Sequence, residues 1–311
     1  MTDNTTDITP SLENPFAEHS EQEFIVPGQL ASAPGLYEEA LKSGWELQQR
    51  PYLASGTKNT QRQHLKNRMT IWERIDCLAD EPPTILFQNW GPNLDGASLV
   101  TALVKVGGRD VALYGHDFTV RAGSMDATNG KKLARLFELA AKRRIPLVGL
   151  NDSAGAYIPA GVGGLDGYAD AFTALRKISG VVPSIMCMFG FNAGGGSYLP
   201  RQGSFLIQPN NTFFGLTGPG VVKSVLGEDV TPDELGGPGV QSNSGVTELV
   251  VPGEVSALRK VREFGFSLAS SDAVFAPQRP SSDARESMCW GVDFLLRWAV
   301  GAPGGCDGPS E

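Results

Sequence analysis

The chain of 311 residues carries 34 Asp and Glu against 26 Lys and Arg, a formal net charge of −8, with 41% hydrophobic and 19% charged residues. That composition is ordinary for a globular fold with a sizeable core. The acidic balance argues against general nucleic-acid binding, which needs a basic face. Glycine is abundant at 38 residues, which calls for many tight turns or close backbone approaches. The four cysteines, Cys77, Cys187, Cys289 and Cys306, form no C-x-x-C pair. They read as reduced thiols of a cytoplasmic protein, with Cys187 filling core, and not as a zinc ribbon or disulfide framework.

Residues 1–30 are polar and acidic, lack apolar periodicity and are unlike a signal peptide; they are expected to form a loosely draped arm. "TIWERIDCLAD" opens a helix in which Thr70 and Glu73 have the spacing of a capping box. "ASLVTALVKV" and "DVALYGHDFTV" alternate apolar and polar residues around Gly107-Gly108, a hairpin signal. In "KKLARLFELAAKRR", Leu133, Leu136, Phe137, Ala140 and Ala141 share one helical face. The strand "IPLVGLND", the helix "YADAFTALRKIS" and the strand "VVPSIMCMFG" then follow. Strand–helix–strand alternation predicts right-handed crossovers and a parallel sheet. "TPDELGG" repeats the capping-box spacing at Thr231 and Glu234, with Pro232 at the first helical position. The expected organisation is an arm over 1–30, one α/β domain over 31–270, and a linker with a short C-terminal helix and tail over 271–311. No apolar run is long enough to span a membrane, because Asp293 and Arg297 interrupt "GVDFLLRWAV".

Two strands end in small residues, "LNDSAGAYIP" and "FNAGGGSYLP". In an open parallel sheet, ligands collect beyond the carboxyl ends of strands. Gly or Ala there lets an acyl group approach backbone N–H donors, and two such donors from different loops can grip one oxygen as an oxyanion hole. Each motif alone reads more readily as a tight turn with close strand–helix packing. Neither is a Rossmann or P-loop fingerprint. The three histidines, His19, His64 and His116, are distant in sequence from both motifs, and His116, within a strand, reads as a satisfied structural residue. Ser153 and Ser197 lack a nucleophile-elbow pattern. Backbone donors, with a proton acceptor brought by a cofactor, fit this inventory better than a serine hydrolase.

From residue 67 to residue 251 the sequence resembles the N-terminal half of the carboxyltransferase subunit of biotin-dependent acyl-CoA carboxylases and related decarboxylases. The resemblance rests on "GRDVALYGHDFTVRAGSMDATNGKKLARL", "GLNDSAGAYI", "SGVVPSIMCMFGFNAGGGSYLP" and "LTGPGVVKSVLGEDVTPDELGG", in the family's order and spacing. It implies a crotonase-like (ClpP-like) α/β spiral in which this half binds an acyl-CoA and peptide N–H groups hold the thioester oxygen as an enolate. The family's donors fall at Gly194 and Gly195 and, in the Asp152–Ala156 loop, at Ala154 and Gly155. Gly123, Ser124, Ala156 and Tyr157 become contacts for the CoA thioester. Lys132 is a candidate for a CoA phosphate, its alternative being a solvated helix face. No metal is implied. The carboxyl group arrives on biotin carried by a partner, and the biotin ureido anion serves as base.

The sequence also departs from the family. Tyr157 stands where the family has arginine, and Gln241 where histidine is common, which leaves the acyl group open. A full-length member carries a second, similar half that receives biotin. The expectation is therefore a separate biotin-binding carboxyltransferase subunit, together with a biotin carboxyl carrier protein, a biotin carboxylase, and homo- and hetero-oligomeric assembly. The competing readings are a biotin-independent crotonase-type lyase or hydrolase and a non-catalytic scaffold subunit. The first would need its own acid or base beside the glycine loops; the second has no need of oxyanion donors.

Overall fold

The computed structural model describes residues 41–42, 55–91 and 93–271; the expected arm over 1–30 and the C-terminal helix and tail lie outside them. Every element named below lies within residues 55–271.

After α1 (Thr57–His64), α2 (Ile71–Leu78) begins at the expected capping box, with Thr70 Oγ1 accepting the Glu73 N–H and the Glu73 carboxylate accepting the Thr70 N–H. β1 (Thr84–Leu86) leads to the expected hairpin, β2 (Leu99–Val106) and β3 (Arg109–His116), paired in register from Leu99 opposite His116 to Val106 opposite Arg109. Gly107 and Gly108 both have positive φ, 61° and 74°, as a two-residue turn matching the strand twist demands.

α3 (Ala127–Arg143) buries Leu133, Leu136, Phe137 and Ala140, with Ala141 only partly covered. Then come β4 (Leu147–Asn151), α4 (Val162–Ile178) and β5 (Ser184–Met188). β7 (Phe205–Pro209), β9 (Leu249–Val251) and α9 (Glu254–Ser267) complete the main layers.

The seven-stranded sheet has the order β1-β2-β3-β4-β5-β7-β9. Pairing is antiparallel through β1, β2 and β3 and parallel from β3 to β9, so the predicted crossovers form a parallel sheet extended by a hairpin. Both faces are buried. Ile71, Ile75, Leu78, Ala257, Leu258 and Val261 cover one face, where Val148, Leu150, Ile185 and Cys187 point. On the other, Leu133, Leu136, Phe137, Ala171 and Leu175 pack on Ala112, Leu147 and Met186. Cys187 is the core residue expected.

A feature absent from the sequence reading is a second, two-stranded parallel sheet, β6 (Phe191–Ala193) with β8 (Phe213–Gly215). Beyond Met188 the chain turns at Gly190 into β6 and directly into α5 (Gly195–Arg201). The three glycines are therefore a strand-to-helix junction. α6 (Pro219–Leu226), α7 (Pro232–Gly236, with the expected capping box) and α8 (Pro238–Asn243) follow β8.

Candidate active site

The two small-residue motifs meet through their backbones. The Ala193 N–H donates to the Ser153 carbonyl at 3.2 Å, and the Ser153 N–H donates to Asn192 Oδ1 at 3.1 Å. A Cβ on Gly155 would stand 2.8 Å from the Ala193 carbonyl oxygen, and one on Gly196 2.7 Å from that of Ser153. These distances are below any real Cβ contact, so the glycines are required for the loops to touch. Ser197 Oγ, 2.9 Å from the Asn192 carbonyl and 2.8 Å from that of Gly215, ties α5 to both strands of the small sheet.

The accounting of amides changes the expected donor set. The Gly194 N–H donates to the Leu216 carbonyl at 3.1 Å, and the Ala154 N–H to that of Ala122 at 3.1 Å. The Gly155 N–H is 3.1 Å from Ser153 Oγ. Gly195 and Gly196 are the first two residues of α5, with no preceding helical turn to accept their amide protons. Of the four residues expected to donate, only Gly195 keeps an uncommitted N–H among the described residues, and Gly196 joins it. Gly194 serves the turn: its φ of 55° and ψ of −129° suit glycine alone, while the space beside it is open.

The expected CoA contacts divide in two. Gly123 and Ser124 are buried under the first loop. A side chain on Gly123 would strike the Asp152 carbonyl, and the Ser124 hydroxyl and carbonyl bond Arg121 and Ser98 respectively, each at 2.6 Å. They support the loop from below. Ala154 is exposed, and Ala156 and Tyr157 are half-buried, with the Arg121 guanidinium 4.6 Å from the centre of the Tyr157 ring.

Lys132 is corrected. Its side chain is buried, and Nζ donates to Gln88 Oε1 at 3.0 Å, the Gly96 carbonyl at 2.7 Å and the Leu99 carbonyl. Three oxygens use all three ammonium protons and leave none for a phosphate; burial pushes the amine down to about 7. Gln241 likewise braces the fold, donating to the Phe214 carbonyl.

Sequence reasoning missed the charged support beneath the first loop. Asp152 is wholly buried, and its Oδ2 accepts from Arg68 and, at 2.9 Å, from Arg74. Arg74, also wholly buried, holds Glu254 in a fork, Nε to Oε2 at 3.0 Å and Nη2 to Oε1 at 2.9 Å, and lies 4.3 Å from the Phe189 ring centre. Burial works to lower the Arg74 pKa, but the carboxylates of Asp152 and Glu254 outweigh it and hold it above its usual value. Burial raises Asp152, opposed by the two arginines. Asp152 is in the quoted motif; no local signal links it to residues 68, 74 or 254.

His116 was expected to be satisfied. It is buried at the end of β3, and burial, only partly opposed by the Leu150 backbone, drives its pKa down to about 3, so the ring is neutral. Among the described residues no group of three His, Cys, Asp or Glu is placed to hold a metal, and no helix is long and apolar enough to cross a membrane.

Comparison with known proteins places this geometry. The propionyl-CoA carboxylase beta chain of Cereibacter sphaeroides is 35% identical over 254 residues, 76% of this chain and 50% of its own. The methylmalonyl-CoA decarboxylase subunit alpha of Propionigenium modestum is 34% identical over 239 residues, 73% of this chain and 46% of its own. Among solved structures, transcarboxylase 12S with hydrolysed methylmalonyl-CoA bound superimposes with a TM-score of 0.72 at 31% identity, over 81% of this chain and 51% of that one. The fold is the expected crotonase-like α/β fold, and the chain spans about half the length of the curated relatives it matches. Residues 62–289 match the family described as the carboxyl transferase domain, and the chain belongs to that family.

Proposed function

We propose that this chain is the acyl-CoA half of a biotin-dependent carboxyltransferase, moving a carboxyl group to or from the α-carbon of an acyl-CoA. The observation that carries the reading is the backbone contact between the 152–156 and 193–196 loops, which leaves the Gly195 and Gly196 amides uncommitted. Two adjacent N–H groups in a partly buried position suit the thioester oxygen as it gains negative charge in an enolate. Ala154 at the exposed tip of its loop, with Ala156 and Tyr157, borders the approach of the thioester. Biotin, when bound on its carrier, supplies the carboxyl group and a proton acceptor. This chain's own residues bind and orient the acyl-CoA and hold its oxygen, and none is assigned to biotin.

The surface beside the loops supports assembly with a second, biotin-binding carboxyltransferase half. Ile158 is 87% exposed and Val162 80%, with Leu165, Tyr198, Leu216, Val225 and Leu226 also exposed, and α6 has no buried residue. Exposed large apolar side chains in this number suit an interface. Alignment of two reactants is worth many powers of ten in effective concentration, so carboxyl transfer requires both halves together. The test is calorimetry of the chain with acyl-CoAs of graded length and with free biotin, followed by carboxyl transfer with and without the second half. CoA thioesters should bind and biotin should not, with transfer appearing only when the second half is added. Tight biotin binding without a response to CoA thioesters would overturn the assignment.

A further inference from the structure

α3 and α4 cross at an unusually close point. Gly130 and Gly167 lie within helices, where glycine is disfavoured relative to alanine. A Cβ on Gly130 would run into the Gly167 backbone, and one on Gly167 into that of Asp126. That contact seats α4 deep against the start of α3, and the residue following Gly167 is Tyr168. The Tyr168 side chain is 4% exposed and packs on Phe172, with ring centres 5.5 Å apart.

The ring ends directly under the second loop. A Cβ on Gly195 would stand 2.5 Å from Tyr168 Cζ, 2.6 Å from Cε2 and 2.7 Å from Cδ2. Gly195 is helical and its φ is not of the kind that disfavours side chains, so it is the nearby tyrosine ring, not the backbone conformation, that opposes one there. The phenol is also beside the first loop. Burial raises its pKa and keeps it protonated, an effect opposed by the nearby Ser153 hydroxyl. Its oxygen has no close hydrogen bond among the described residues. Ser153 Oγ is the group that accepts the Gly155 N–H. One side chain from α4 thus meets both amide-bearing loops, which come from different strands.

We infer that Tyr168 is the positioning residue of the site: its ring sets the Gly195 and Gly196 amides at a fixed distance from the 153–156 loop. The inference rests on the acyl-CoA reading above only for what the amides bind. The ring is the spacer, and this role does not depend on the hydroxyl. The geometry therefore separates Tyr168→Phe, which keeps the spacer, from Tyr168→Leu, which removes it.

Two readouts test this on the full chain. The first is hydrogen exchange. Tyr168→Leu should speed exchange in both 153–157 and 193–198, and Tyr168→Phe should leave both near wild type. Gly195→Ala should lower the melting temperature, and adding Tyr168→Leu should restore part of that loss. Unchanged exchange at either loop in Tyr168→Leu, or no restoration in the double variant, would overturn the inference whatever the protein binds. The second readout is the infrared carbonyl band of acyl-CoAs labelled with 13C at the thioester carbon. In wild type and Tyr168→Phe the band should shift to lower frequency on binding. In Tyr168→Leu binding should persist while the shift is lost, a split that general destabilisation would not give. A retained shift in Tyr168→Leu would refute the positioning role. Failure of wild type to bind any acyl-CoA would instead refute the functional reading, and hydrogen exchange would still decide the inference.

Discussion

Replacing Arg74 with methionine removes one guanidinium of a buried charge chain and keeps most of the side-chain volume. In wild type that guanidinium faces Asp152 on one side and Glu254 on the other, and both it and Asp152 are wholly buried. Breaking a buried ion pair by deleting one partner costs about 3–5 kcal/mol, because the remaining charge stays desolvated. Two features place this case at the low end. Asp152 keeps Arg68, and Glu254, with 16% of its side chain exposed, keeps the Met69 N–H at 3.2 Å and some access to water. The expected loss is thus about 3 kcal/mol. Removing the stranded carboxylate as well, by Arg74→Met with Asp152→Asn, should cost less than the sum of the single variants by about 1–3 kcal/mol. Urea unfolding followed by far-ultraviolet circular dichroism measures all four corners of the cycle, with an unchanged m-value confirming comparable transitions. A loss below about 1 kcal/mol for Arg74→Met, the range of an exposed pair, or strict additivity in the double variant, would refute the reasoning that this chain of charges holds the loop from below.

Lys132 gives a pH dependence. Its folded pKa, about 7, lies below the ordinary 10.5, so between those values the unfolded chain binds more protons and stability rises with pH. Wild type should therefore gain on Lys132→Met in thermal unfolding from pH 7 to pH 10, and a difference constant across that window would contradict it. Thr70→Ala deletes the cap of α2 and should cost about 1 kcal/mol in urea unfolding; no measurable loss would show the cap to be redundant. Cys187 is fully buried and its thiol pKa is raised by burial, so peptide mapping after a thiol reagent should find it unmodified in the fold and modified in urea, while Cys77 is exposed. Gly155→Ala brings a methyl within 2.8 Å of the Ala193 carbonyl and should impair both thermal stability and acyl-CoA binding, with unchanged binding counting against the site.

Much of the architecture is local and legible in the sequence. The capping boxes at Thr70 and Thr231 satisfy amides within one helical turn, the Gly107-Gly108 turn sets a hairpin register by backbone twist alone, and the apolar spacing in 133–140 fixes which face of α3 is buried. The family resemblance added the expectation that the two glycine motifs form one site, which periodicity could not supply. What only the tertiary structure decided depends on groups far apart in the chain. Whether an amide is free depends on which carbonyl folds opposite it, and Leu216 and Ala122 take the N–H groups of Gly194 and Ala154. Lys132 lies on a helix whose sequence fits a solvated face equally well, yet the carbonyls of Gly96 and Leu99 draw its amine inward. Gly195 reads in sequence as a tight turn or an oxyanion donor, and the room left by its missing side chain proves to be filled by Tyr168. Caps, turns and periodic faces involve neighbours within a few residues, so they leave a pattern in the sequence. Packing against a distant ring or carbonyl leaves none, because the partner is chosen by how the sheet brings remote segments together.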